Sequence, residues 1–144
     1  MTVTRSHPRH ALKLLIALSL FGAGDALAGT TTAFSVANNG MSTWRIDGID
    51  NPPLTLLRGE TYTFTMQSVS AVHPFNINTT NTTGSANLYN DGVTNNGASG
   101  TQVLTFVVPS DAPDTLHYNC GNHPSMNGPI SIVTDELFAD GFDP

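Results

Sequence analysis

Thr61-Tyr62-Thr63-Phe64-Thr65-Met66 alternates hydroxyl and apolar side chains without a break. Successive side chains of a strand point to opposite faces, so Tyr62, Phe64 and Met66 share one face and three threonines the other. That is the pattern of a half-buried antiparallel strand. Working outward, Arg58-Gly59-Glu60 just before it is a turn signal, as are Asp50-Asn51-Pro52-Pro53 and Asn38-Asn39-Gly40. Between such turns lie short runs that read as strands at 33–37, 43–47, 54–57, 61–67, 73–78, 102–108, 115–120 and 130–133, and none has a helical period. About eight short strands within roughly 100 residues predict an all-β, Greek-key β-sandwich. The segment 84–100 (GSANLYNDGVTNNGASG) reads as a long excursion or ragged hairpin, with Leu88, Tyr89 and Val93 as anchors onto the sandwich.

The 144 residues provide for one domain. The first 28 are expected to be a secretory signal peptide. Arg5, Arg9 and Lys13 form its positive start, 14–21 (LLIALSLF) its apolar stretch, and Ala26-Leu27-Ala28 the small residues before cleavage. The apolar stretch is far short of the ~20 residues a membrane span requires. No cysteine lies near the cleavage point, so a lipid anchor is not indicated. The domain itself is expected over 29–134, followed by an acidic tail, 135–144 (DELFADGFDP), that lacks the ligand pattern of a calcium loop. Beyond the leader only Arg45 and Arg58 remain as cations against ten acids, a formal charge of −8 compared with −6 for the whole chain. Such a surface repels nucleic acid and anionic lipid, and it permits a neutral or basic protein partner.

Cys120 is the only cysteine. An exported chain with one cysteine makes no internal disulfide, and a free thiol outside the cell is open to oxidation, so this residue asks for a reason. Tyr118-Asn119-Cys120-Gly121-Asn122-His123-Pro124-Ser125-Met126 supplies one. It spaces a thiolate, an imidazole and a thioether at three-residue intervals, close enough for one turn to aim all three at a single ion. His73, after an upstream strand, is the natural fourth donor. Two His, one Cys and a weak axial Met form the trigonal set that suits copper in both oxidation states. Structural zinc sites draw on several Cys or His and do not recruit Met. His117, three residues before Cys120, falls on the opposite face of a strand and is read as a surface histidine. Trp44 and the Phe and Tyr residues are read as core. The sequons at Asn78 and Asn81 are read as chance matches in an Asn/Thr-rich stretch.

The segment Tyr118 to Met126, with His73 upstream, resembles the type 1 copper site of the cupredoxins, its Cys-x2-His-x2-Met spacing being closer to amicyanin than to plastocyanin. Similar stretches are Asn51-Pro52-Pro53-Leu54-Thr55-Leu56, Gly59-Glu60-Thr61-Tyr62-Thr63-Phe64, His73-Pro74-Phe75 and Val108-Pro109-Ser110-Asp111-Ala112-Pro113, so the likeness covers about residues 32–134. It implies a cupredoxin-like sandwich, one copper ion and outer-sphere electron transfer. His73 and His123 would be equatorial imidazoles, Cys120 the equatorial thiolate and Met126 the axial thioether. One departure stands out. The family's first His is followed by Asn, whose N–H donates to the copper-bound sulfur, and Pro74 here has no N–H. Asn122 is the expected replacement donor, and Asn76 a side-chain brace.

The leading expectation is therefore a periplasmic or secreted electron carrier, monomeric, without membrane insertion, that meets redox protein partners transiently. Copper storage or delivery without redox turnover is the alternative, though Met41, Met66 and Met126 are the only methionines beyond the leader. A third is an interaction module, supported by the tail and the Asn/Gly-rich excursion. Enzymatic activity is not expected: three histidines beyond the leader form no His-x-His pair for further copper ions, and no Ser-His-acid order or Walker loop is present.

Overall fold

The computed structural model describes residues 31–135, and the expected leader and nearly all of the tail lie outside them. Among the described residues there is no helix, hence none long and apolar enough to cross a membrane. The ten strands are β1 (Thr31–Asn39), β2 (Thr43–Ile46), β3 (Ile49–Asp50), β4 (Leu54–Leu57), β5 (Thr61–Met66), β6 (Phe75–Asn78), β7 (Val93–Thr94), β8 (Val103–Val107), β9 (Thr115–Cys120) and β10 (Asn127–Val133). They form a six-stranded sheet in the order β3-β2-β1-β5-β8-β7 and a four-stranded sheet in the order β4-β10-β9-β6.

Both sheets are mixed. β5, expected to be an antiparallel strand, pairs so with β8 but runs parallel to β1 on its other side, from Thr31↔Thr61 to Val36↔Met66. β4 pairs parallel with β10 through Ile130↔Leu54, and β9 is antiparallel to both β10 and β6. Alternation then fills the space between the sheets. Tyr62, Phe64 and Met66 meet Trp44, Leu104, Phe106, Leu56, Phe75, Leu116, Tyr118 and Ile130, all buried in one continuous cluster. Each such side chain contributes about 1.5–3 kcal/mol relative to exposure, which the chain needs against the entropy of ordering its backbone.

The differences from the sequence expectation have physical causes. The strand expected at 73–78 starts at Phe75, because Pro74 offers no N–H to a ladder and His73 N–H closes a turn onto Ser70 O (2.8 Å). The strand expected at 130–133 begins earlier, at Asn127. There β10 is paired only on its β9 side, which tolerates Pro129. β3 and β7, two residues each, are too short to leave a period.

The excursion 84–100 covers the outer edge of β6. Bridges pair Phe75 with Ala98 and Asn78 with Leu88, and Asn96 stands in for a strand. Its Oδ1 accepts from Ile77 N (2.8 Å), while its Nδ2 donates to Ile77 O (3.1 Å) and Tyr89 O (2.9 Å). An open edge would present these groups to other chains. Tyr89 and Val93 pack on the core as anchors. Leu88 instead lines an open cleft between the excursion and the turn after Cys120.

Candidate metal centre

Cys120 ends β9 on the face that carries Leu116 and Tyr118 into the core, and it is wholly buried. The chain then turns back on itself. Cys120 N–H donates to Met126 O (2.8 Å), Met126 N–H to His123 O (3.2 Å), and Asn127 Nδ2 to Pro124 O (2.7 Å). These bonds curl 120–126 into a compact loop whose Met126 side chain is fully buried. Gly121 N–H donates to Pro74 O (3.0 Å), which brings the His73 loop alongside.

The donors converge. His73 Nδ1 and His123 Nδ1 are 3.0 Å apart, and Cys120 Sγ lies 3.8 Å from the first and 3.5 Å from the second. These three residues form a cluster capable of holding a metal ion. A point equidistant from the three atoms is roughly 2.0 Å from each, within the ~2.0–2.3 Å range of metal–nitrogen and metal–sulfur bonds. Two imidazole lone pairs facing each other at 3.0 Å repel unless a proton or a cation lies between them. Burial, with His123 as a second and smaller influence, lowers the His73 pKa below its ordinary value. Burial thus favours the neutral ring, which has a lone pair to give. His73 and Cys120 are buried and His123 is half-buried, so one donor edge alone approaches the surface.

Residues around the donors hold them in place. Asn122 N–H points at Cys120 Sγ (3.5 Å), as expected of its place two residues after Cys120. Asn76 is buried and braces the excursion, its Nδ2 donating to Gly84 O (3.1 Å). Trp44, fully buried, meets His73 edge-on at 6.5 Å and Phe75 at 5.0 Å. His117 sits half-buried on the other face of β9, outside the cluster. Asn78 is fully buried with its Nδ2 on Thr82 O and Asn119 Oδ1, a core role.

Sequence reading missed two ties. Asn51 Nδ2 donates to Ser125 O (2.9 Å) and Ser125 Oγ to Met41 O (3.0 Å), fastening the loop to the first sheet. Asn51 stood out as a turn residue and as part of a family-like stretch, but not as a partner of Ser125, 74 positions away.

Neither a protein-family model nor a curated protein matches the sequence. Solved structures do. The copper protein rusticyanin matches with 19% identity and a TM-score of 0.53, over 73% of this chain and 79% of that one. Rusticyanin from Thiobacillus ferrooxidans matches with 20% identity and a TM-score of 0.53, over the same shares. Reduced rusticyanin gives 20% identity and 0.51, over 73% of this chain and 81% of that one. At this level of identity the likeness is one of fold.

Proposed function

We propose that this chain, a β-sandwich of cupredoxin fold, binds one type 1 copper ion through His73, Cys120, His123 and Met126 and carries single electrons between redox proteins. The observation behind this reading is the triangle of His73 Nδ1, His123 Nδ1 and Cys120 Sγ, closed to bonding distance of one point, with Met126 buried in the same loop. That the matched rusticyanin is described as a copper protein supports it.

Bound copper would supply a one-electron couple. The thiolate and thioether are soft donors that favour Cu(I), whereas the imidazoles suit Cu(II), so one geometry serves both states. The bonds from Asn51, Ser125 and Gly121 hold that geometry from outside. His123, half-buried, is the donor nearest solvent. Pro124 and Ser125 of its loop, and Met41 and Val72, which are tied to that loop through Ser125 and Asn122, are exposed and uncharged, a surface suited to brief, weak docking. The leader 1–28 would export the protein to the periplasm or beyond, where it works as a monomer and a carrier rather than an enzyme.

The test is an absorption spectrum of the untagged protein titrated with Cu(II). An intense thiolate-to-copper band that bleaches reversibly with reductant, and is lost in Cys120→Ser, is the expected result. No band, with tight Cu(I) binding, would favour storage or delivery. Failure to bind either ion would overturn the copper reading.

A further inference from the structure

His73 and Cys120 lie 47 positions apart in the chain, yet their donor atoms are 3.8 Å apart. Two adjacent residues join the segments that carry them. The carbonyls on either side of His73, those of Val72 and Pro74, both accept hydrogen bonds from residues directly after Cys120. Gly121 N–H donates to Pro74 O at 3.0 Å, and Asn122 Nδ2 donates to Val72 O at 2.8 Å. Asn122 also turns its own N–H toward Cys120 Sγ, at 3.5 Å. The approach is close: a Cβ on Gly121 would come within 2.7 Å of Pro74 Cγ and 3.3 Å of Asn76 Nδ2.

We infer that Gly121 and Asn122 form a clasp that sets the separation of the His73 and Cys120 donors, with Asn122 as its positioning residue. The inference rests on the copper reading above. Pro74 has no N–H to give from the His73 side, and every donor of the clasp comes from the Cys120 side. Asn122 answers with two donors from the Cys120 side, one for the thiolate and one for the opposite loop. Its side chain is exposed, so it adds little to global stability, and its effect falls on the donors it holds.

Three variants separate the parts. Asn122→Ala keeps the N–H and removes the side-chain tie; Asn122→Pro removes both; Asn122→Gln restores an amide donor. In the metal-free protein, the rate at which Cys120 reacts with a thiol reagent is expected to rise roughly tenfold in Asn122→Ala, about the factor one hydrogen bond carries. The rate should fall back toward wild type in Asn122→Gln, with the melting temperature of Asn122→Ala lowered by no more than the few degrees that one hydrogen bond accounts for. In the copper-loaded protein, the reduction potential of Asn122→Pro is expected below that of Asn122→Ala. The two differ at the thiolate only by an N–H, and such a bond withdraws charge from sulfur and favours Cu(I). Thiol reaction rates equal to wild type in all three variants would overturn the clasp. Equal potentials in Asn122→Ala and Asn122→Pro would overturn its thiolate half. A wild-type protein that binds neither Cu(II) nor Cu(I) would instead refute the copper reading, while the thiol rates would still report on the clasp.

Discussion

Tyr118 links the core to the loop from Cys120 to Met126. It sits two residues before Cys120, stacks on Phe75 at 5.7 Å, and donates its hydroxyl to Pro52 O at 2.6 Å. Gly128 faces it across the β9–β10 pair, where any Cβ would overlap the phenol, so only glycine fits. Burial raises the Tyr118 pKa well above its ordinary value of 10.0. The folded state therefore keeps a proton that the unfolded chain releases. This contribution is complete below pH 10 and is lost as pH rises beyond it, with a slope of up to about 1.4 kcal/mol per pH unit. Tyr89, raised first by burial and then by Asp91 and Asp111, acts with the same sign. Tyr118→Phe is expected to lose about 1 kcal/mol at neutral pH through the missing bond, and to show a shallower alkaline decline. Urea unfolding from about pH 8 to pH 11 measures both, and parallel declines would contradict the assignment. At this scale the sequence identified Tyr118 as part of a strand entering the site. Its hydroxyl partner, Pro52, is 66 positions away and follows from packing alone.

Among the elements, β6 depends most on what lies beside it. It is four residues long, fully buried, and paired on one side only by β9. The excursion supplies the other side through Ala98, Leu88 and the Asn96 amide. Asn96→Ala would leave Ile77 N–H without its partner, while Ile77 O keeps the bond from Tyr89 N–H (2.9 Å). The substitution is expected to cost about 1–3 kcal/mol and to speed amide exchange at Ile77 more than in β10. Exchange measured by NMR checks this, and an unchanged Ile77 rate would show that the amide does not hold the edge. The main strands were readable because alternation is local. The mixed pairing was not, since β5 carries the same pattern whether its neighbour is parallel β1 or antiparallel β8. The excursion's Gly, Asn and Ser residues showed that it would be irregular, and only the folded edge of β6 gave it a purpose.

For the molecule as a whole, a bound metal would be linked to stability. An ion bound to the folded donors and only weakly to the unfolded chain adds about 2.7 kcal/mol at a free concentration one hundred times its dissociation constant. For a domain of this size that corresponds to a melting temperature higher by roughly 10–20 °C. Copper loading is expected to produce such a rise, a chelator to reverse it, and Cys120→Ser to remove most of it. Calorimetry of the three samples checks this, and equal melting temperatures with and without copper would show that the donors do not hold the ion in the folded state. The cross-ties at Ser125 and Gly121 fasten the donor loops to both sheets, so opening the site and unfolding the sandwich are expected to be coupled.

The sequence by itself determined the all-β class, the positions of the main strands, and the loop from Cys120 to Met126. Each of these depends on side-chain order over a few neighbouring residues, where covalent geometry leaves little choice. It also raised the expectations that His73 is a fourth donor and that Asn122 substitutes for what Pro74 lacks. Only the tertiary structure decided that His73 Nδ1 lies 3.8 Å from Cys120 Sγ, that Asn122 reaches Val72 and that Asn51 holds Ser125. These contacts span 47 to 74 positions of chain. Their geometry depends on the register of two packed sheets, which no local pattern encodes.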